Sequence, residues 1–423
     1  MTGQQRFRPI PDRLTKRAAL SAIRRVDAMF SARGPAFRQL AMSWAANVAG
    51  DTLVAIALAG TLFFDVPNTA EARSNVALYL AITMAPFAIV APLLGGLFSR
   101  FPVYRGVITF SCVARGVFAL IMMTGLDTIW LFPLAFTMLV LSRLYGISKS
   151  SMMPVAIDEP TALVSANARL ARIGIYAGAV VLPLGVAVSQ IGPELALLLS
   201  AGFFLFSGFL SLGLPDPRTA EVAAGLAHDQ QTIPVARASM RSLRISRLAT
   251  AGVRFINGYL ILLLAFAFQA STQRALDFGA LVAAAGAGYG LASYLAPWLE
   301  KHLREEPMVV AALAVEAGAA FLAAQGLSLA AAAAVAGAAG IAWGVAKFGF
   351  DGLLQRSVPP GKRGGAFTRA ETLFQLAWVV GAIIPVLVRI DPELGMTIAG
   401  IAALTAQTIF VAGLLVDGPD GGT

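Results

Sequence analysis

Residues 194–214 read ELALLLSAGFFLFSGFLSLGL, and after Glu194 the next twenty positions hold no ionisable side chain. At ~1.5 Å rise per residue, a helix of that length crosses the ~30 Å hydrocarbon core of a bilayer. The run stops at Pro215-Asp216-Pro217-Arg218, where proline and charge end the helix. Lipid is the solvent for which this segment is built.

The same pattern recurs along the chain. Of 423 residues, 57% are hydrophobic and 13% charged, about half the charged share of a soluble domain. Mean hydropathy is +0.74, an excess too large to come from one anchor. Apolar runs lie at 39–64, 75–98, 105–126, 128–147, 170–190 and 194–214, and again at 248–270, 276–298, 307–326, 328–348, 371–389 and 395–416. The division of 105–126 from 128–147 rests on the turn signal Gly125-Leu126-Asp127, and that of 307–326 from 328–348 on Gly326-Leu327-Ser328. The pattern predicts an all-α membrane protein with twelve transmembrane helices in two six-helix bundles. The expected units are a basic N-terminal segment (1–38), an N-terminal bundle (39–214), a linker (215–247), a C-terminal bundle (248–416) and a short tail (417–423).

A net charge of +9 would suit nucleic acid if the cations formed one patch, but they sit between the apolar runs. With the N-terminus in the cytoplasm, 24 of the 32 Lys and Arg residues fall on the cytoplasmic side, and only Arg73, Arg274 and Arg389 fall opposite. That bias is the one expected of a multi-pass protein of the bacterial inner membrane with both termini inside. No nucleic-acid partner is expected; lipids are, and the chain is read as a monomer. The first apolar run is too long for a secretory leader and lacks a small-residue cleavage site, so it is expected to be retained as a span. Within 12–32, Leu14, Leu20, Ile23, Met29 and Phe30 recur among basic residues at roughly helical spacing. Two readings stand: an interfacial helix on anionic lipid, or a basic tail that only enforces topology. Arg237 through Arg247 is expected to lie on the membrane surface. Cys112 is the only cysteine and His228 and His302 the only histidines, which excludes disulfide frameworks and Cys/His metal sites, and no cofactor is expected.

Between spans two and three stands Gly95-Gly96-Leu97-Phe98-Ser99-Arg100-Phe101-Pro102-Val103-Tyr104-Arg105-Gly106. This resembles the signature loop of the major facilitator superfamily at the same place in the topology, except that Ser99 stands where the family usually has aspartate. Gly50-Asp51 in span one, Arg115 in span three, Ser165-Ala166-Asn167-Ala168 before span five, and Gln355-Arg356-Ser357-Val358-Pro359-Pro360 followed by Arg363-Gly364-Gly365-Ala366-Phe367 resemble the superfamily's exporter branch of multidrug, macrolide and siderophore efflux proteins and the lysophospholipid transporter. The resemblance implies two bundles that alternate access to a central site. It also implies a cytoplasmic gate that includes Gly96, Ser99, Arg100, Arg105 and Arg363; Arg369 and Glu371, which open span eleven, read either as a bridge across that gate or as a solvated helix end.

An ionisable side chain at mid-membrane normally faces a cavity or a partner. Asp51, Arg115 and Glu316 lie ~18, ~15 and ~14 Å into their spans, close to the centre of the core. Asp51 and Arg115 have opposite charge and similar depth, and they are expected to pair, either as a switch or as a static pair that fixes helix register. Glu316 lacks a cation at its depth other than Arg254. It reads as the carrier of a coupling proton or the partner of a cationic substrate group, or else as a neutral acid hydrogen-bonded to a neighbouring helix. Arg143, Lys347 and Asp351 fall near span ends, where topology and gating explain them. The alanine and glycine rows of spans eight and ten read as close helix packing ahead of a substrate contact, and Phe203, Phe204 and Phe206, or Phe266 and Phe268, as lipid-facing ahead of lining an apolar cavity.

The expected activity is secondary transport, with export of an amphipathic or hydrophobic small molecule coupled to protons. Lipid or lysophospholipid translocation by the same fold and a transport-inactive membrane sensor are the alternatives. An enzyme is not expected, since the histidines are isolated in loops and neither a Gly-x-Ser-x-Gly elbow nor a phosphate-binding loop occurs.

Overall fold

The computed structural model describes residues 24, 27–31, 33–62, 104–126, 128, 130–157, 162–215, 237–268 and 274–415. Among them are eleven helices long and apolar enough to cross a membrane. In chain order they are α1 (Pro35–Leu62), α2 (Tyr104–Met122), α3 (Leu131–Ala156), α4 (Leu163–Ser189), α5 (Pro193–Ser211), α6 (Arg237–Ala267), α7 (Arg274–Leu299), α8 (Glu305–Ala323), α9 (Leu329–Ser357), α10 (Pro360–Leu387) and α11 (Pro392–Leu415). The span predicted at 75–98 lies outside the described residues, as do the loop positions Gly96, Ser99 and Arg100.

Local sequence starts and stops these helices in familiar ways. Proline opens α5, α10 and α11 at a position that needs no N–H donor. Ser328 caps α9 by accepting the Ala331 N–H at 3.2 Å. Both turn signals divide helices as expected, α2 from α3 and α8 from α9. The helix ends at the opposite face differ from the apolar runs. Apolar continuity ends spans four and ten at 147 and 348, whereas α3 runs to Ala156 and α9 to Ser357; likewise α4 and α10 begin seven and eleven residues before their runs, at Leu163 and Pro360. Polar residues such as Lys149 and Arg363 break a hydropathy run without breaking a helix, because straight-chain charged side chains have high helix propensity. For the same reason Arg237 through Arg247, expected on the membrane surface, form the first turns of α6.

In the N-terminal half α1 packs on α4 and α5, and α2 on α3 and α5; in the C-terminal half α6 packs on α10, α7 on α9, and α8 on α9 and α11. The tightest approaches run through small residues. A Cβ on Gly258 would overlap the Trp378 carbonyl of α10, and one on Gly381 the Phe255 carbonyl of α6. Gly288 and Gly340 bring α7 and α9 together in the same way, so the small-residue rows do serve close packing. Large apolar side chains point outward instead, with Val180 and Leu322 each 76% exposed, as suits a surface wetted by lipid.

The halves meet where α4 packs on α7 and α9, and α3 on α9 and α10. At the end that borders the basic loops they are stitched together by hydrogen bonds. The Tyr104 hydroxyl donates to the Pro360 carbonyl at 3.0 Å and accepts the Gly364 N–H at 3.1 Å. Gln355 donates to the Ser150 carbonyl at 2.8 Å and accepts from Asn167 at 2.7 Å. Further along, Arg172 reaches the Ser293 carbonyl at 3.0 Å and the Tyr176 and Tyr294 hydroxyls pair. Beside that point a crevice of about 430 Å³ opens between α1, α4 and Tyr289 of α7.

Candidate functional site

Asp51 and Arg115 pair. The Arg115 guanidinium, 2% exposed, donates to the Asp51 carboxylate, which is 37% exposed. Asn47, one turn before Asp51, bridges them: it accepts from Arg115 at 2.8 Å and donates to Asp51 at 3.0 Å. The guanidinium also lies 4.0 Å over the ring of Phe204 in α5. Gly50 explains how that ring fits, since a Cβ there would come within 2.7 Å of it. Phe204, read as lipid-facing or as cavity lining, is therefore fully buried, while its neighbour Phe206 is 50% exposed.

Glu316 lies in the middle of α8, 1% exposed, and neither carboxylate oxygen has a hydrogen-bond partner. The cation that bears on it is Arg254 of α6. Arg254 lies 4.2 Å over the Trp343 ring, and its own Nε has no partner.

A chamber of about 290 Å³ lies between the halves, lined by α1, α3, α4, α7, α9 and α10. Its floor, toward the basic loops, is the Gln355–Asn167 contact. Arg143, Lys347 and Asp351, expected near span ends, line it because α3 and α9 extend past those ends. Lys347 holds both chamber carboxylates, Asp351 at 2.5 Å and Glu371 at 2.8 Å. Lys149, which apolar continuity places in a loop, also faces the chamber, with its ammonium 3.5 Å above the Trp44 ring.

The expected gate residues separate. Glu371, expected at the mouth of span eleven, is the twelfth residue of α10 and belongs to the chamber. Arg105 donates to the Leu214 carbonyl at 3.2 Å, joining α2 to the end of α5, and Arg363 donates to the Val358 carbonyl at 2.9 Å across the α9–α10 turn. Arg369 is exposed on α10. A contact between the halves that sequence reasoning missed is that of Glu300, just past α7, whose carboxylate accepts the N–H groups of Val164 and Ser165 at 3.2 and 3.0 Å and so caps α4. Burial pushes the Glu300 pKa up, and the two amides only partly offset this. At the chain's basic end, Met29 and Phe30 pack against the protein core and Arg169 donates to the Ala28 carbonyl at 3.2 Å. Leu14, Leu20 and Ile23 lie outside the described residues.

No family model matches the sequence. An uncharacterized protein of Mycobacterium leprae, ML2143, is 28% identical over 401 aligned residues that cover 84% of this chain and 68% of that protein. Rv0876c of Mycobacterium tuberculosis, also uncharacterized, is 37% identical over 150 residues, 33% of this chain and 27% of its own length. Among solved structures, a bacterial homologue of the iron transporter ferroportin in its outward-facing state superposes with a TM-score of 0.65 at 16% identity, covering 90% of this chain and 99% of that one. FucP, a major facilitator superfamily transporter in the outward conformation, gives 0.61 at 10% identity, with 89% and 97% covered. The fold is that of the major facilitator superfamily. The human organic anion transporter MFSD10 shares this fold, at a TM-score of 0.63 and 17% identity over 88% of this chain and 98% of that one. The chain is thus a multi-pass membrane protein with the major facilitator architecture, and the branch is left open by these likenesses.

Proposed function

We propose that the protein is a secondary active transporter that exports an amphipathic small molecule by alternating access, coupled to protons, in the bacterial inner membrane with its basic loops in the cytoplasm. The observation that carries the reading is the chamber: a charged, aromatic-walled space at the junction of two bundles, closed by hydrogen bonds at the basic-loop end. A static scaffold has no need of a solvent-sized polar void at its centre, whereas a rocking pair of bundles requires one. The iron transporter homologue and the organic anion transporter of the same fold carry different cargo, so fold likeness fixes no substrate.

Coupling is assigned to Glu316, a carboxyl buried in the middle of α8 whose oxygens have no hydrogen-bond partner, and to the Asp51–Arg115 pair. Arg254 acts electrostatically on Glu316 and rests its guanidinium over Trp343 of the chamber wall, which offers a route from a charge change at Glu316 to the chamber. In inverted vesicles, acid inside, addition of amphipathic cations and anions, siderophores and lysolipids tests the reading. Collapse of the gradient by one compound with the wild type, and not with Glu316→Gln, is the expected result. A gradient that no compound disturbs would remove proton-coupled export of these classes and favour lipid movement without coupling.

A further inference from the structure

Among the described residues, the formal charges that line the chamber do not balance. Three cations, Arg143, Lys149 and Lys347, face two carboxylates, Asp351 and Glu371, among the described lining residues, and Lys347 contacts both carboxylates. Behind Trp343 lies a second cavity of about 200 Å³ lined by Arg254, and adding Arg254 together with Glu316 leaves the same excess of one positive charge. The excess is held ready. Lys149 has a ring face in place of a carboxylate: its ammonium rests 3.5 Å over Trp44. That indole is itself fixed by a 2.9 Å hydrogen bond to the Leu170 carbonyl and by stacking on Tyr145 at 5.9 Å.

We infer that the chamber recognises the anionic head of an amphipathic organic molecule, with Lys149 of α3 receiving a carboxylate, sulfonate or phosphate and Trp44, Tyr289 and Trp343 receiving its apolar body. A desolvated ammonium over an aromatic face is only partly compensated, and a charge-assisted hydrogen bond from an arriving anion is the stronger interaction. A cationic amphipath entering the same space meets a net positive field in a low-dielectric setting and is repelled. The volume suits a ring system of a few fused rings and is too small for a pair of acyl chains, so a free organic anion fits better than a whole diacyl lipid, though an anionic lipid headgroup offers the same chemistry.

The inference rests on the chamber being the substrate site of the proposed transporter, and binding separates the two. Full-length protein in phosphatidylcholine nanodiscs is titrated by calorimetry with 2-naphthoate, 2-naphthalenesulfonate and trimethyl(2-naphthyl)ammonium, one ring system with heads of either sign. Both anions are expected to bind and the cation not. Lys149→Gln should weaken the anions by roughly tenfold, the scale of one charge-assisted hydrogen bond, with Lys149→Arg restoring affinity. Intact thermal unfolding of the variants shows that the loss is local. Equal binding of cation and anion, or an unchanged anion affinity in Lys149→Gln, overturns the inference. If phosphatidylglycerol in the disc displaces 2-naphthoate, anion recognition stands and the source is a lipid headgroup. Anion binding without any flux would remove the transport reading and leave this one, and gradient-driven flux of the cation would do the reverse.

Discussion

Arg115 and Asp51 form one ion pair but stand in different solvents. Arg115 is 2% exposed and Asp51 37%. Deleting the aspartate therefore strands a buried cation, while deleting the arginine leaves a carboxylate that water reaches. Asp51→Ala should destabilise the protein by about 1–3 kcal/mol, less than the full cost of breaking a buried pair because Asp51 is part-solvated, and Arg115→Met should cost less. Thermal unfolding in detergent gives the order, and the reverse order would show that Arg115 has another source of solvation. Gly50 acts on the same pair through Phe204. Gly50→Ala should push the ring, and the guanidinium upon it, out of place at about 1–3 kcal/mol, and Phe204→Leu in the same chain should recover part of the loss. If the double variant is as unstable as the sum of the two, Gly50 and Phe204 do not share a constraint. Asp51, Arg115 and Glu316 are legible in sequence because a charge inside an apolar run is conspicuous. Phe204 is not, since nothing in the string distinguishes it from Phe203 and Phe206, and only the packing of α1 against α5 decides which ring turns inward.

At the scale of elements, the same hydropathy that locates the spans hides part of the site. Lys149, Asp351 and Glu371 interrupt apolar runs and so read as loop or span-end residues, yet the backbone hydrogen bonds of α3, α9 and α10 continue through them and carry them into the chamber. Hydropathy reports what lipid tolerates, and a helix face turned toward a polar cavity answers to a different solvent. The Glu300 cap on α4 is hidden for another reason: it joins residues far apart in sequence, Glu300 with Val164 and Ser165, and only the docking of α7 on α4 brings them together. Its titration has a definite sign. Burial raises the Glu300 pKa above the usual carboxyl range, with Glu305 adding repulsion and the amides of Ser165 and Val164 opposing. Arg33, bonded to Ser165 Oγ at 2.7 Å, is the cation beside the cap. A carboxyl whose pKa is higher in the closed arrangement than in water binds its proton more tightly there, so closure is supported at low pH and loses that support as pH rises through the raised value. Hydrogen-exchange protection of the Val164 and Ser165 amides, corrected for intrinsic rate, should fall as pH climbs from the ordinary carboxyl range through that window. Glu300→Gln should flatten the dependence; a variant with the wild-type slope would place the titration elsewhere.

Across the whole molecule, the contacts that join the two bundles divide by depth. Tyr104 to Pro360 and Gly364, Gln355 to Ser150 and Asn167, and Glu300 to the start of α4 all lie at the end that borders the basic loops, and the crevice beside Tyr289 lies beyond them. An alternating-access cycle requires these contacts to part, because a chamber sealed at one end releases its contents only toward the other. Val164 of α4 and Gly352 of α9 offer a way to forbid the parting. A Cβ built on Gly352 lies 3.7 Å from the Val164 Cα, so cysteines at the two positions would stand side by side and can be tested as a cross-link. The native Cys112 is buried and stays out of the exchange. The double variant Val164→Cys, Gly352→Cys should move substrate when reduced, lose flux when oxidised, and regain it on reduction, in the same vesicle assay that names the substrate. Each single-cysteine variant should be indifferent to oxidant, which separates the lock from general damage. Oxidised protein that still moves its substrate would mean that the two bundles need not separate at α4 and α9. Transport would then have to run through motion inside one bundle, with Arg254, which acts on Glu316 and lines the second cavity, as the place to look for what drives it.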